Sequence, residues 1–330
     1  MDNIKSFESL LYTVNEININ DIALRLFRHQ ANHNPVYSNY LDHLGIDTRE
    51  IKHLNEIPFL PISFFKNHSL KTGSWQDEVF FSSSGTTGQS TSTHHVSDLN
   101  FYLQHAERCF THFFGKLSDF HFLAVMPSYL ERKNSSLIAM MNSFIQKSNS
   151  EYSGFYLYDY DKLLQDIKVL RERNDKRIIV WGVGFALLDI GEKHQPDLSD
   201  CLVFETGGMK GRRKEIVRQD LHAQLKKYFN IKTVYSEYGM TELLSQAYTQ
   251  GGDLFNAPPW MKIIARDIAD PFEQGQIGRA GGLNVIDLAN FHSIAFIETE
   301  DSGMVLADGS FEVMGRLDNT DSRGCNLMVE

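Results

Sequence analysis

Cysteine is scarce in this chain. Its three residues, Cys109, Cys201 and Cys325, are odd in number and too far apart for a CxxC pair, which excludes a disulfide framework and a cysteine-built metal site. Only eight prolines occur in 330 residues, and no stretch is compositionally biased enough to read as a linker. No apolar run approaches the roughly 18 residues of a membrane span. The start, MDNIKSFESLLYTV, lacks a basic segment leading into a long apolar one, so no signal peptide is expected and the expected home is a reducing cytoplasm. Positive charge is in deficit, with 32 Lys and Arg against 42 Asp and Glu, a net charge of -10. That balance argues against a nucleic-acid surface. An anionic nucleotide remains admissible, because a divalent metal and local backbone donors can offset a global negative charge.

Several common catalytic signatures are also missing. No GxSxG occurs, so a hydrolase nucleophile elbow is unsupported. Gly182-Val183-Gly184 is followed by Leu187 where a dinucleotide fingerprint needs a third glycine. The pair His94-His95 reads as two polar loop residues, since neighbours on an extended segment point opposite ways.

What is present is the patterning of a globular α/β protein, 42% hydrophobic and 22% charged. The first 60 or so residues read as helical: Leu10, Val14 and Ile17 keep a helical spacing, and Ile22, Leu24 and Leu26 fit it less cleanly. From about 121 to 236, the apolar runs FLAVM (122–126), IIVW (178–181), CLVF (201–204) and TVYS (233–236) alternate with amphipathic helical stretches. Leu163, Leu164, Ile167 and Leu170 line one such stretch, and Ile216, Leu221 and Leu225 another. This alternation predicts a parallel sheet with helices packed on it. Beyond about residue 255 come short strands, WMKIIA (260–265), GGLNVIDL (281–288), SIAFIE (293–298) and FEVMG (311–315), which predict an antiparallel sheet or distorted barrel. The expected divisions are a helical segment 1–60, an α/β core 61–255, a β-rich lobe 256–314 and a tail 315–330 carrying Cys325.

The strongest local signal is the loop Ser82-Ser83-Ser84-Gly85-Thr86-Thr87-Gly88. Glycines let backbone N–H groups turn toward one point and hydroxyls add donors, so such a loop can wrap an anion. It is not the P-loop of nucleotide hydrolases, because Gln89 and Ser90 stand where the lysine should be.

Read in order, SSGTTG (83–88), TGGMK (206–210), EYGMTE (237–242), TEDSG (299–303) and GRLDNTDSRG (315–324) form a more specific series. The series resembles the acyl-adenylate-forming superfamily of acyl-CoA synthetases, luciferases and peptide-synthetase adenylation domains. Within it, IPFLPISFFK (57–66), the glycine loop without its lysine and the short run past RGCNL resemble the LuxE acyl-protein synthetase branch. The resemblance covers roughly residues 55–330. It implies the large-domain fold of adenylate-forming enzymes, a parallel sheet with flanking helices plus a β-rich lobe.

The resemblance also implies roles. Ser83, Ser84, Gly85, Thr86, Thr87 and Gly88 would cradle the phosphates of ATP, and Gly207 and Gly208 would lie against the adenine. In the Tyr238-Gly239 motif, Tyr238 would stack near the base, Thr241 would bond a phosphate oxygen and Glu242 would help hold Mg2+. Asp301 would take the ribose hydroxyls with Arg316 close by, a reasonable pairing because a carboxylate can accept from both hydroxyls of a diol. Plainer readings compete: Glu242 could open a helix as a first-turn acid, and Asp301 and Asp318 sit in turn-like contexts where aspartate is common.

Two departures bear on chemistry. Only fifteen residues follow Gly315, so the superfamily's mobile C-terminal domain, with its catalytic lysine, is expected to be missing. The lysine after the glycine loop is absent as well. Cys325 supplies a different outlet, since a thiolate is well suited to take an acyl group from an adenylate and the neighbouring Arg323 would favour the thiolate. The expected function is therefore ATP-dependent activation of a fatty or other carboxylic acid and its transfer to Cys325 as a thioester, for delivery to an acyl reductase. A truncated acyl- or aryl-CoA ligase relative and a non-catalytic acyl- or nucleotide-binding subunit of a reductase complex are the alternatives. An acyl tunnel would draw on Trp181, Val183 and Phe185, residues that suit a core equally.

Overall fold

A computed structural model describes residues 4–83, 91–127, 134–207 and 216–317. The chain forms two compact units: one joins the segment up to Trp75 with the segment from Pro259 on, and the other runs from Gln76 to Pro258.

The first unit begins with three helices, α1 (Ile4–Leu11), α2 (Ile19–His33) and α3 (Pro35–His43), followed by the short strand β1 (Leu60–Pro61) and the single turn α4 (Phe64–Asn67). The segment is helical as expected, but the helical spacing of Leu10, Val14 and Ile17 does not hold as far as Ile17. The helix α1 stops at Leu11 and Ile17 is 92% exposed. The cause is local: the Asn15 carboxamide oxygen accepts from the backbone N–H groups of Ile17 and Asn18, and that of Asn18 accepts from Asn15 N–H. Side chains that bond nearby backbone in this way compete with a helix. The α2 residues that fit the spacing less cleanly are helical and buried, because α2 is covered on most of its circumference: Ile22, Leu24, Leu26 and Phe27 are all inside.

The second unit opens with a hairpin, β2 (Val79–Ser82) and β3 (Thr93–Val96), whose connection carries the glycine loop. There follow α5 (Leu99–Phe114), β4 (Phe120–Val125), α6 (Ser136–Lys147), β5 (Gly154–Phe155), α7 (Tyr160–Arg173), β6 (Arg177–Val183), α8 (Gly184–His194), β7 (Leu202–Thr206), α9 (Arg218–Phe229), β8 (Tyr235–Tyr238), β9 (Ala247–Thr249) and β10 (Phe255–Asn256). The sheet order β5-β4-β6-β7-β8 is parallel throughout, and β9 and β10 extend it antiparallel. The predicted alternation is thus a parallel sheet, and β4 is buried along its whole length. Caps mark the helices: Asp98 accepts from Phe101 N–H at the start of α5, and Asp159 from Lys162 N–H at the start of α7. The sheet core is aromatic. Trp181 stacks on Phe204 at 4.6 Å, Phe204 on Tyr235 at 5.0 Å, and Phe110 of α5 packs above them.

The rest of the first unit is the antiparallel sheet β11 (Met261–Arg266), β12 (Ala280–Asp287), β13 (Phe296–Val305) and β14 (Phe311–Arg316), with β1 added parallel to β13. The helices are tied to this sheet by buried amides. Gln30 Nε2 donates to the Asn290 carbonyl at 2.9 Å while its Oε1 accepts from Ala295 N–H at 3.0 Å. Asn34 Nδ2 and Thr72 Oγ1 both donate to the Ser293 carbonyl. The strand β13 runs on past the predicted SIAFIE, so the TEDSG motif is strand and Asp301 sits in a ladder, not in the turn its neighbours suggest. Among the described residues no helix is long and apolar enough to cross a membrane.

Candidate active site

In open sheets with parallel strands, ligands bind beyond the carboxyl ends of the strands. Here β7 ends at Thr206 and β8 at Tyr238, and both run into a glycine. The ladder pairs Phe204 with Tyr235 and Glu205 with Ser236, which leaves Thr206 beside Glu237, and the Thr206 hydroxyl donates to the Glu237 carboxylate. Gly207 has φ +69°, a left-handed backbone that favours glycine. At Gly239 the constraint is space: a Cβ there would run into Glu237 Oε1 and lie 3.4 Å from Gln246 Cγ. The backbone therefore favours glycine at Gly207, whereas a side chain at Gly239 would first have to displace the Glu237 carboxylate.

The glycine-loop hairpin is joined to the same region. At its base Ser83 N–H donates to the Ser92 carbonyl at 3.1 Å, and Ser92 N–H donates to the Ser83 hydroxyl at 2.9 Å. Two residues further along β3, His94 donates from Nδ1 to the Thr241 carbonyl at 2.9 Å. A carbonyl only accepts, so the proton is on Nδ1. His94 is 1% exposed, and burial, with a smaller contribution from His95, pushes its pKa down to about 4. The reading of this pair as polar loop residues is corrected: both lie in a strand, His94 inside and His95 outward on Asp77 at 2.6 Å. The opposite pointing of the two side chains is as expected.

Thr241 and Glu242 lie in the connection from β8 to β9, a turn and not the first turn of a helix. Glu242 is 5% exposed. Among the described residues no group of three or more His, Cys, Asp and Glu could hold a metal.

The structure thus brings Ser83, Gly207, Tyr238, Gly239, Thr241 and Glu242 onto one unit, linked through Thr206–Glu237 and His94–Thr241. Tyr238 is buried with its ring 5.8 Å from Phe255. Asp301 and Arg316 belong to the other unit, where they are cross-strand partners in β13 and β14, Arg316 Nε standing 4.0 Å from Asp301 Oδ1. Ser84, Gly85, Thr86, Thr87, Gly88, Gly208 and Cys325 lie outside the described residues. Trp181, Val183 and Phe185 are all buried. Cys109 is buried in α5 with its sulfur 3.7 Å from His105 Nε2, and burial pushes the Cys201 thiol up to about 12, so neither is an exposed thiolate.

From sequence, neither Glu237 nor Gln246 has a role at the site, and His94 enters only as a polar loop residue. Glu237 stands inside the quoted EYGMTE motif, and the alternation of β8 could have shown it facing opposite to Tyr238. On the far face of the same ladder, Glu205 Oε1 accepts from the Ser236 hydroxyl at 2.6 Å and lies 3.3 Å from His222 Nε2. This is a second hydroxyl–carboxylate pair, one residue back and reversed in order, so β7 and β8 are clamped on both faces where they approach the site.

Neither a family profile nor a curated protein matches this sequence. Solved structures do. An ATP-bound RpMatB-BxBclM chimera matches with a TM-score of 0.54 and 17% identity over 72% of this chain and 47% of its own. A 2-hydroxyisobutyryl-CoA ligase in complex with 2-HIB-AMP and CoA matches with a TM-score of 0.68 and 13% identity over 92% of this chain and 69% of its own. The luciferase-like enzyme from the nonluminescent mealworm Zophobas morio matches with a TM-score of 0.50 and 16% identity over 83% and 62%. The chain spans about half the length of the chimera. These neighbours are members of the acyl-adenylate-forming superfamily, and the fold is that of its large domain.

Proposed function

We propose that this protein binds ATP and a carboxylic acid at the carboxyl ends of β7 and β8, joins them as an acyl adenylate with release of pyrophosphate, and passes the acyl group to Cys325. The observation that carries the reading is the hydrogen-bonded convergence of three ordered motifs. His94, on the strand leaving the glycine loop, holds the Thr241 carbonyl, and Thr206 holds Glu237. These are the segments that must act together if a carboxylate is to attack the α-phosphate, because two anions meet and charge builds up on the phosphoryl oxygens.

In this reading the backbone N–H groups and hydroxyls of Ser83 to Gly88 cradle the phosphates, Thr241 bonds a phosphate oxygen, and Glu242 holds magnesium. The metal would offset the phosphate charge when bound. Gly207 and Gly208 lie against the adenine, Tyr238 stacks near the base, and Asp301 with Arg316 close by takes the ribose hydroxyls. The acyl adenylate is a mixed anhydride. Attack by the Cys325 thiolate on its carbonyl carbon forms the thioester and expels AMP, and a partner acyl reductase would then receive the acyl group.

The test is incubation with ATP, magnesium and labelled acid. Pyrophosphate release and about one label per chain, removable by neutral hydroxylamine, are expected. Cys325→Ser should lose the stable label and keep adenylate formation, with Cys109→Ser and Cys201→Ser labelling normally. Adenylate made with no label on the chain would overturn the transfer step, and no pyrophosphate with any acid would overturn the activation step.

A further inference from the structure

In the first unit, β11 reaches β13 across β12 through one buried side chain. Arg266 pairs with Gly282 in the β11–β12 ladder and is 6% exposed. A Cβ at Gly282 would run into the guanidinium, so the bare glycine leaves the passage by which the side chain crosses to the next strand. There it meets a bulge. The β12–β13 ladder pairs Asn284 with Glu298 and then Gly282 with Ser302, so Leu283 alone faces Thr299, Glu300 and Asp301. Extra residues on one strand interrupt the ladder and leave backbone groups in need of other partners.

Side chains supply them. Arg266 Nη1 donates to the Leu283 carbonyl at 2.9 Å and to Asn284 Oδ1 at 3.2 Å, and Nη2 donates to the Thr299 carbonyl at 2.8 Å. The Thr299 hydroxyl donates to the same Leu283 carbonyl at 2.7 Å and accepts from Asp301 N–H at 3.1 Å. One guanidinium and one hydroxyl therefore tie the bulge together from Leu283 to Asp301. Burial works against the guanidinium's charge, while the Glu298 carboxylate at 3.6 Å and that of Asp301 favour it. Bulges re-aim a side chain, and they recur beside active sites.

Resting on the ribose role proposed above for Asp301, we propose that Arg266 and Thr299 are positioning residues for the reaction. By holding the bulge they aim the Asp301 carboxylate at the ribose hydroxyls of ATP. Neither side chain touches the nucleotide; both act through the backbone that carries Asp301. A carboxylate that accepts from both hydroxyls of a diol must face them squarely. A loosened bulge therefore costs recognition of the sugar, whatever it also costs the fold.

The experiment compares ATP with 2′,3′-dideoxy-ATP in acid-dependent pyrophosphate release. The parent protein should prefer ATP in kcat/KM by about tenfold or more, and Asp301→Ala should abolish that preference. Thr299→Val keeps the shape and removes the hydroxyl. Arg266→Lys keeps the charge and loses the planar fork that spans two carbonyls. Each should cut the preference by about fivefold or more, because small misplacements of a binding group are costly. Thr299→Ser, which keeps the hydroxyl, should retain the preference. The preference is a ratio taken on one preparation, so a smaller folded fraction cancels from it. If Thr299→Val or Arg266→Lys keeps the parent's preference while Asp301→Ala loses it, the positioning role of that residue is overturned and the ribose role stands. A parent without the preference, or Asp301→Ala that keeps it, would overturn the ribose role and the proposal with it. If no acid supports turnover, the activation reading fails, and calorimetric titration with the two nucleotides reads the same ratio in Kd with the same outcomes.

Discussion

His94 links acid sensitivity to the candidate site, and its contribution can be worked out. The imidazole is held neutral in the fold, with its pKa down to about 4 from 6.5 through burial. A depressed folded pKa means that the unfolded chain binds the proton more readily. Stability from this group is therefore complete above pH 6.5 and is lost as pH falls from there to about 4. At roughly 1.4 kcal/mol per pH unit, the whole interval amounts to ~3 kcal/mol, of which about 2 kcal/mol falls between pH 7 and pH 5. The substitution His94→Gln removes the titration and keeps an N–H that can reach the Thr241 carbonyl. Urea unfolding of parent and variant at pH 7, 6 and 5 isolates the effect, because every other titrating group cancels in the difference. The variant should be the less stable at pH 7 and lose about 2 kcal/mol less than the parent on going to pH 5. If the two chains lose stability in parallel, His94 is not buried neutral against Thr241, and the link between the hairpin and the Thr241 turn is wrong.

Other substitutions probe the two units separately. Gly239→Ala places a methyl against Glu237 Oε1 and should cut pyrophosphate release at least tenfold, with the melting temperature showing how much of the loss is folding. Glu242→Gln should leave the melting temperature near that of the parent and greatly reduce turnover; a large thermal loss with unchanged turnover would make the carboxylate structural. Gln30→Leu strips the donor and acceptor that serve Asn290 and Ala295 inside the first unit and should cost about 2–4 kcal/mol in urea unfolding. A loss under about 1 kcal/mol would show that those backbone groups find other partners.

Sequence by itself determined the elements whose signal is local. Alternating apolar runs and amphipathic stretches mark β4, β6, β7, α7 and α9, because the burial of each follows from its own period. The ordered motifs identified the glycine positions and the EYGMTE turn. It could not place Ile17, where two asparagine side chains end a helix that the spacing would continue. Nor could it assign roles that depend on partners far along the chain. His94 meets Thr241 across 147 residues, Thr206 meets Glu237 across 31, and Gln30 meets Ala295 across 265. A histidine, glutamate or glutamine carries no local period that announces burial. Its meaning is set by the acceptor or donor that folding brings to it, and only the tertiary structure decides which that is.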